Sequence, residues 1–184
     1  RVSIIGSGHV GLVTGAGLAK LGHTVLCVDD CSEVVASLQH GKVHFFEPGL
    51  QDLVQEMTAA GRLRFSASVE HAVRDSDVVF ICVSTPPKAD GAADLSYVEA
   101  VTRAIARSLD GYRVIVDKST VPAKTGERVI AAIEMYGRPG VEFDVVSFPE
   151  FSREGMALQD FLQPDRVILG VKSARAEKIM RELV

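Results

Sequence analysis

The chain opens R-V-S-I-I-G-S-G-H-V-G, a short β-branched run that breaks into glycines at Gly6, Gly8 and Gly11. The pattern G-x-G-x-x-G is weak alone, and its surroundings decide what it means. Here it follows a run that reads as a strand and opens a helix of small residues over 9–21, closed by Gly22. Residues 24–29 read as a second buried strand. In such a strand–helix–strand unit Gly6 allows the tight turn and Gly8 lets a pyrophosphate approach the backbone. Gly11 lets the helix lie against the strand, and the helix N-terminus faces the phosphates. Ser7, His9 and Val10 complete the turn. Asp29 ends the second strand 23 positions after Gly6 (29 − 6), where a carboxylate accepts hydrogen bonds from the adenosine ribose. Asp30 is the alternative, but the apolar run points to Asp29. A carboxylate there repels a 2′-phosphate, and no Lys or Arg follows before Lys42, so the turn is expected to take NAD rather than NADP. His9 reads as a filler of the loop rather than a base, because the phosphates should cover it.

Apolar runs at 63–66, 78–83, 114–116, 143–147 and 166–171 predict further strands. Helical spacing predicts helices over 48–60, 69–74, 95–109 and 125–135, with a last one from Ala174. Strands that are apolar throughout and alternate with helices imply an α/β fold: a Rossmann-like, doubly wound, mainly parallel sheet with helices on both faces. With 184 residues, 47% of them hydrophobic, the chain can bury one good core, so residues 1–184 are expected to form one dinucleotide-binding domain. Net charge is −4 and the basic residues are scattered, which argues against nucleic acid. No run is long and apolar enough for a membrane span. The odd set Cys27, Cys31 and Cys82 suits reduced thiols in a cytoplasmic protein, and C-x-x-x-C without a second ligand pair gives no metal site.

Ligands of doubly wound sheets bind outside the carboxyl ends of the strands. Three loops there carry chemistry. Val83 leads into Ser84, Thr85, Pro86 and Pro87; the strand at 114–116 leads into D-K-S-T-V-P, with hydroxyls on Ser119 and Thr120; residues 143–147 lead into F-P-E-F-S-R-E-G, with Glu150 and Glu154. All three would ring one crevice.

Taken in order, G-S-G-H-V-G-L, F-E-P-G-L (46–50), S-T-P-P, D-L-S-Y-V (94–98), K-S-T-V-P, P-E-F-S-R-E-G and P-D-R (164–166) run over almost the whole chain. In these motifs the chain resembles the N-terminal, NAD-binding domain of the UDP-glucose/GDP-mannose dehydrogenases. K-S-T-V-P followed by P-D-R-V-I-L-G is like the UDP-glucose branch. Relatives acting on UDP-N-acetyl-hexosamines or GDP-mannose remain open.

The resemblance implies oxidation of the C6 alcohol of a nucleotide sugar to a carboxylate, with two NAD per sugar and a cysteine that captures the aldehyde. It assigns residues 6–11 and Asp29 to the adenosine diphosphate part of NAD. Val83, Ser84, Thr85, Pro86, Ser119 and Thr120 go to its ribose and nicotinamide side. Thr120 and Glu150 match catalytic positions: the threonine helps place a water, and the glutamate is the general base. Glu154 matches a residue near nicotinamide and substrate, and Phe151, Ser152 and Arg153 match backbone along the sugar nucleotide. The nucleophilic cysteine, with a lysine, an asparagine and an aspartate, is implied in a central-helix and C-terminal region beyond this chain, in a homo-oligomeric parent. None of the three cysteines here matches it. The family pattern carries asparagine at Phe148, leucine at Ser152, asparagine at Gln163 and a basic residue at Val34. A catalytically dead or stand-alone NAD-binding module is the second reading. A hydroxyacid-type dehydrogenase sharing the first unit is the third, and it leaves K-S-T-V-P unexplained.

Overall fold

The computed structural model describes residues 1–119 and 125–184. Among these the strands are β1 (Val2–Ile5), β2 (Val25–Val28), β3 (Leu63–Ser66), β4 (Val78–Ile81), β5 (Arg113–Asp117) and β6 (Phe143–Ser147). The helices are α1 (His9–Lys20), α2 (Ser32–Gln39), α3 (Leu50–Ala59), α4 (Val69–Asp75), α5 (Ser96–Ser108), α6 (Thr125–Tyr136), α7 (Ala157–Leu162) and α8 (Ala174–Leu183). All six strands are parallel, in the order β3-β2-β1-β4-β5-β6. The winding reverses between β1 and β4, the switch point where doubly wound sheets open a crevice. The expected fold class is observed.

The strand pattern explains the two cores. Side chains alternate across a strand, so a strand apolar at every position feeds both faces. Val2, Ile4, Val25, Cys27, Val78 and Phe80 join the core under α1, α3 and α8. Ile5, Leu26, Val28, Val79 and Ile81 join the core under α4, α5 and α6. Register pairs Ile5 with Val28 and Ile81, Ile81 with Asp117, and Asp117 with Ser147. Those strands therefore end on one line, and their exit loops share one edge.

Two expectations change. Residues 166–171 form no strand: only Gly170 pairs, in an isolated antiparallel bridge to Ser147. Val167 and Ile168 are 42% and 46% exposed, and only Leu169 and Val171 of this apolar run pack against the core. Helices α2 and α7 were not expected, because each buries only two residues, Val35 and Leu38 in α2 and Ala157 and Leu158 in α7, too few to show a helical period.

Helix α1 lies close to its neighbours because it is built of small residues. A Cβ on Gly11 would stand 1.9 Å from the Gly6 oxygen, and one on Gly17 would stand 2.2 Å from Phe161 of α7. Gly17→Ala would gain about 1 kcal/mol of helix propensity. Overpacking against Phe161 costs about 1–3 kcal/mol, so a net loss is expected. Urea unfolding checks this: a raised midpoint would mean that Phe161 can move aside freely.

Candidate active site

The glycine turn begins where β1 ends. Gly6 has φ +101°, and a Cβ there would lie 2.6 Å from the Cys82 oxygen, so glycine is required twice over. Gly8 is the N-cap of α1, and a Cβ on it would meet nothing within 4 Å. Open space beside the first amides of a twelve-residue helix suits the approach of a pyrophosphate. The Asp29 carboxylate accepts from the Ser7 amide at 2.8 Å and the Cys31 amide at 3.0 Å. It sits beside the turn, with acceptor capacity left for ribose hydroxyls. Asp30 is exposed. Val34 packs against the core rather than reaching outward.

At the β4 and β5 exits, the Ser119 hydroxyl donates toward the Ile81 and Val83 carbonyls at 3.3 and 3.0 Å. That hydroxyl therefore ties one loop to the other. The segment with Ser84, Thr85 and Pro86 continues into a small bridge between Pro87 and Ala93. Thr120 lies outside the described residues.

One residue that sequence reasoning did not single out, Lys118, anchors the β5–β6 exits. Lys118 is 3% exposed, and its ammonium lies 3.0 Å from Glu150. The same ammonium sits 4.0 Å from the centre of the Phe148 ring, a cation–π contact. Glu150 also accepts from the Phe151 amide at 2.9 Å, the Ser152 amide at 2.7 Å and the Ser152 hydroxyl. Burial pushes the Glu150 carboxyl up, but Lys118 and the Ser152 donors outweigh it and hold it below the ordinary value. Both departures beside Glu150, Phe148 and Ser152, thus touch the ion pair directly. Phe148 is buried against Phe80. The signal for Lys118 was present: a lysine directly after an apolar strand and before two hydroxyls.

Lys118, Phe148, Glu150, Phe151, Ser152 and Arg153 share a cleft of about 800 Å³ that runs on toward α7. Phe151 is 64% exposed, and Glu154 is exposed. Arg153 is held by Asp160 at 2.7 Å. The glycine turn does not line this cleft, and the link between the two is Glu47. The Glu47 side chain is 1% exposed, with Oε2 2.8 Å from His9 Nε2 and 2.9 Å from the Gly155 amide. Burial pushes its carboxyl up, and the His9, Gly155 and Leu158 donors more than offset that.

The family model for the UDP-glucose/GDP-mannose dehydrogenase NAD-binding domain matches residues 1–184. The chain belongs to this family. A UDP-glucose 6-dehydrogenase of Rhizobium meliloti is 47% identical over all of this chain and 42% of its own length. A UDP-glucose dehydrogenase from the archaeon Pyrobaculum islandicum superposes with TM-score 0.95 at 42% identity, covering 99% of this chain and 43% of that one. A GDP-mannose dehydrogenase from Pseudomonas aeruginosa gives 0.95 at 38%, covering 100% and 43%. The chain spans about two fifths of the length of these relatives.

Within this family domain the two buried cysteines, Cys27 and Cys82, are unsuited to attack. Burial pushes the Cys82 thiol up to about 12 and raises Cys27 further, while Cys31 is exposed at the start of α2. Among the described residues no three His, Cys, Asp or Glu side chains are placed to hold a metal ion, and no helix is long and apolar enough to cross a membrane.

Asp117 precedes Lys118 and is buried. Burial raises its carboxyl from 3.8 to about 6, against a hydrogen bond from the Ser119 amide. Its folded value lies above its unfolded value, so its contribution to stability is full below about pH 4 and lost as pH rises through 6. At about 1.4 kcal/mol per unit, the wild type should lose up to about 3 kcal/mol relative to Asp117→Asn between about pH 4 and 7. Denaturant unfolding of both proteins at the two pH values checks this, and parallel pH dependence would show that Asp117 does not titrate there.

Proposed function

We propose that this chain is the cofactor domain of an NAD-dependent nucleotide-sugar dehydrogenase that oxidises a C6 alcohol to the carboxylate, with UDP-glucose as substrate, UDP-glucuronate as product and two NAD per sugar. The observation that carries the reading is the buried Lys118–Glu150 pair, set at the same sheet edge as the glycine turn and Asp29. The Rhizobium meliloti and Pyrobaculum islandicum relatives support UDP-glucose. The parent protein would add a central helix and a C-terminal domain carrying the nucleophilic cysteine, and would act as a cytoplasmic homo-oligomer. The relatives' greater length leaves room for those parts.

The residues divide the work. Residues 6–11 hold the pyrophosphate on the first amides of α1, and Asp29 accepts the ribose hydroxyls. When bound, NAD supplies the hydride acceptor. Val83, Ser84, Thr85, Pro86, Ser119 and Thr120 line the ribose and nicotinamide side of the cofactor. Glu150 receives the proton of the reacting hydroxyl or water, and Thr120 helps place that water. Lys118 keeps Glu150 ionised at the cleft floor and fixes its direction. Phe151, Ser152, Arg153 and Glu154 offer backbone and charge along the sugar nucleotide.

Two measurements test the reading. Calorimetry on the 184-residue chain should give NAD binding at least tenfold tighter than NADP, because Asp29 opposes the 2′-phosphate. Equal affinity would remove Asp29 from the ribose. In the full-length parent, Glu150→Gln should lower turnover of UDP-glucose by about 10²–10⁴, the usual worth of a positioned acid–base group. Unchanged turnover would sink the assignment of Glu150, and a preference for GDP-mannose or a UDP-N-acetyl-hexosamine would sink that of UDP-glucose.

A further inference from the structure

We propose that Glu47 is a positioning residue that couples occupancy of the glycine turn to the loop carrying Glu150. The inference rests on the reading of residues 6–11 as a dinucleotide turn and of residues 150–155 as the catalytic loop.

Three segments distant in sequence meet at one carboxylate. His9, the first residue of α1, sits inside the glycine turn, 38 positions before Glu47. Gly155 ends the loop that begins at Glu150, 108 positions after Glu47. Oε2 of Glu47 serves both, at 2.8 Å from His9 Nε2 and 2.9 Å from the Gly155 amide, while Oε1 lies 3.4 Å from the Leu158 amide. An ionised carboxylate only accepts, so His9 donates from Nε2. The imidazole also packs on Phe45 with ring centres 5.0 Å apart, so the segment carrying Glu47 grips the His9 ring on two sides.

A purely structural role accounts for part of this. Helix α7 has no side-chain cap of its own, since Met156 stands at its N-cap, and Glu47 satisfies amides at that end. That role needs no histidine. The bond to His9 adds a dependence: the place of residues 151–158 follows the place of the first residue of α1. A pyrophosphate held on the amides of the turn fixes that residue, and through Nε2 it fixes Glu47. Glu47 in turn fixes Gly155 and the loop that aims Glu150. Filling the cofactor end thereby orders the sugar end before any sugar nucleotide arrives, and the coupling is reciprocal.

Hydrogen–deuterium exchange on the full chain tests this, with ADP-ribose as the probe because it carries the pyrophosphate and both riboses but no nicotinamide. With each protein saturated, as judged by calorimetry, amide exchange at 151–158 should slow about fivefold in the wild type. The slowing should vanish in Glu47→Ala, which removes the oxygen shared by His9 and Gly155, and in His9→Ala. It should return in His9→Gln, whose amide donates from near the Nε2 place. The His9 pair decides the matter should Glu47→Ala not fold. Slowing absent from the saturated wild type, or persisting in His9→Ala, overturns the coupling and leaves the dinucleotide turn intact. No binding of ADP-ribose to the wild type overturns the turn itself and the coupling with it.

Discussion

Helix α1 lies so close to the turn after β1 that the Gly6 oxygen stands 1.9 Å from where a Cβ on Gly11 would be. The cofactor turn, the seat of α7 and one wall of the cleft all take their positions from that contact. It brings the first amides of α1 to the sheet edge beside Asp29, with open space at Gly8. It turns the His9 side chain toward Glu47. Farther along the helix, Gly17 leaves room for Phe161, which seats α7 against α1 and brings its ring within 6.0 Å of the Lys118 ammonium. A helix able to carry ordinary side chains at these positions would stand farther from both the turn and the cleft.

How legible this was depended on distance along the chain. The glycine turn and Asp29 could be read because their demands are local: a tight turn, a close approach and a strand end within one strand–helix–strand unit. The strands could be read because burial on both faces leaves no polar alternation to confuse the pattern. Residues 166–171 misled for the converse reason, since Val167 and Ile168 are apolar yet exposed and Gly170 alone finds a partner. Glu47 stands within F-E-P-G-L with no role visible in the sequence, because both of its partners come from elsewhere in the chain. Lys118 lies inside a motif whose hydroxyls draw the attention. Its burial depends on Phe148, Phe161 and Glu150, which no local window contains. Pairings of this kind are set by topology, and a propensity scale holds no trace of them.

The Lys118–Glu150 pair poses an energetic question that bears on function. At 3.0 Å and an effective dielectric near 20, the attraction is roughly 5 kcal/mol. Desolvating each ion costs several kcal/mol, so the pair adds little net stability, and a well-packed apolar couple would serve the fold as well. The reason for keeping it lies in what it does to the carboxylate. Glu150 has four donors: Lys118, the Phe151 amide and the amide and hydroxyl of Ser152. A carboxylate so thoroughly satisfied is ionised and well placed, but it is a weak base, because each donor stabilises the charged form.

That weakness is adjustable. Ser152 and Phe151 belong to the exposed part of the loop, whereas Lys118 is buried beneath it. On the proposed function, a sugar nucleotide lying along residues 151–153 would compete for the Ser152 hydroxyl and the two amides, and each donor it took away would raise the basicity of Glu150 toward the range where proton transfer at neutral pH is efficient. Lys118 is the donor such a ligand cannot easily displace, since the Phe148 ring and the cleft floor hold it. The ligand-free chain keeps Glu150 charged, and on that proposal ligand binding itself would make it a better base. Ser152 is the natural point of control, because its hydroxyl is the contact that a leucine at the same position would not make.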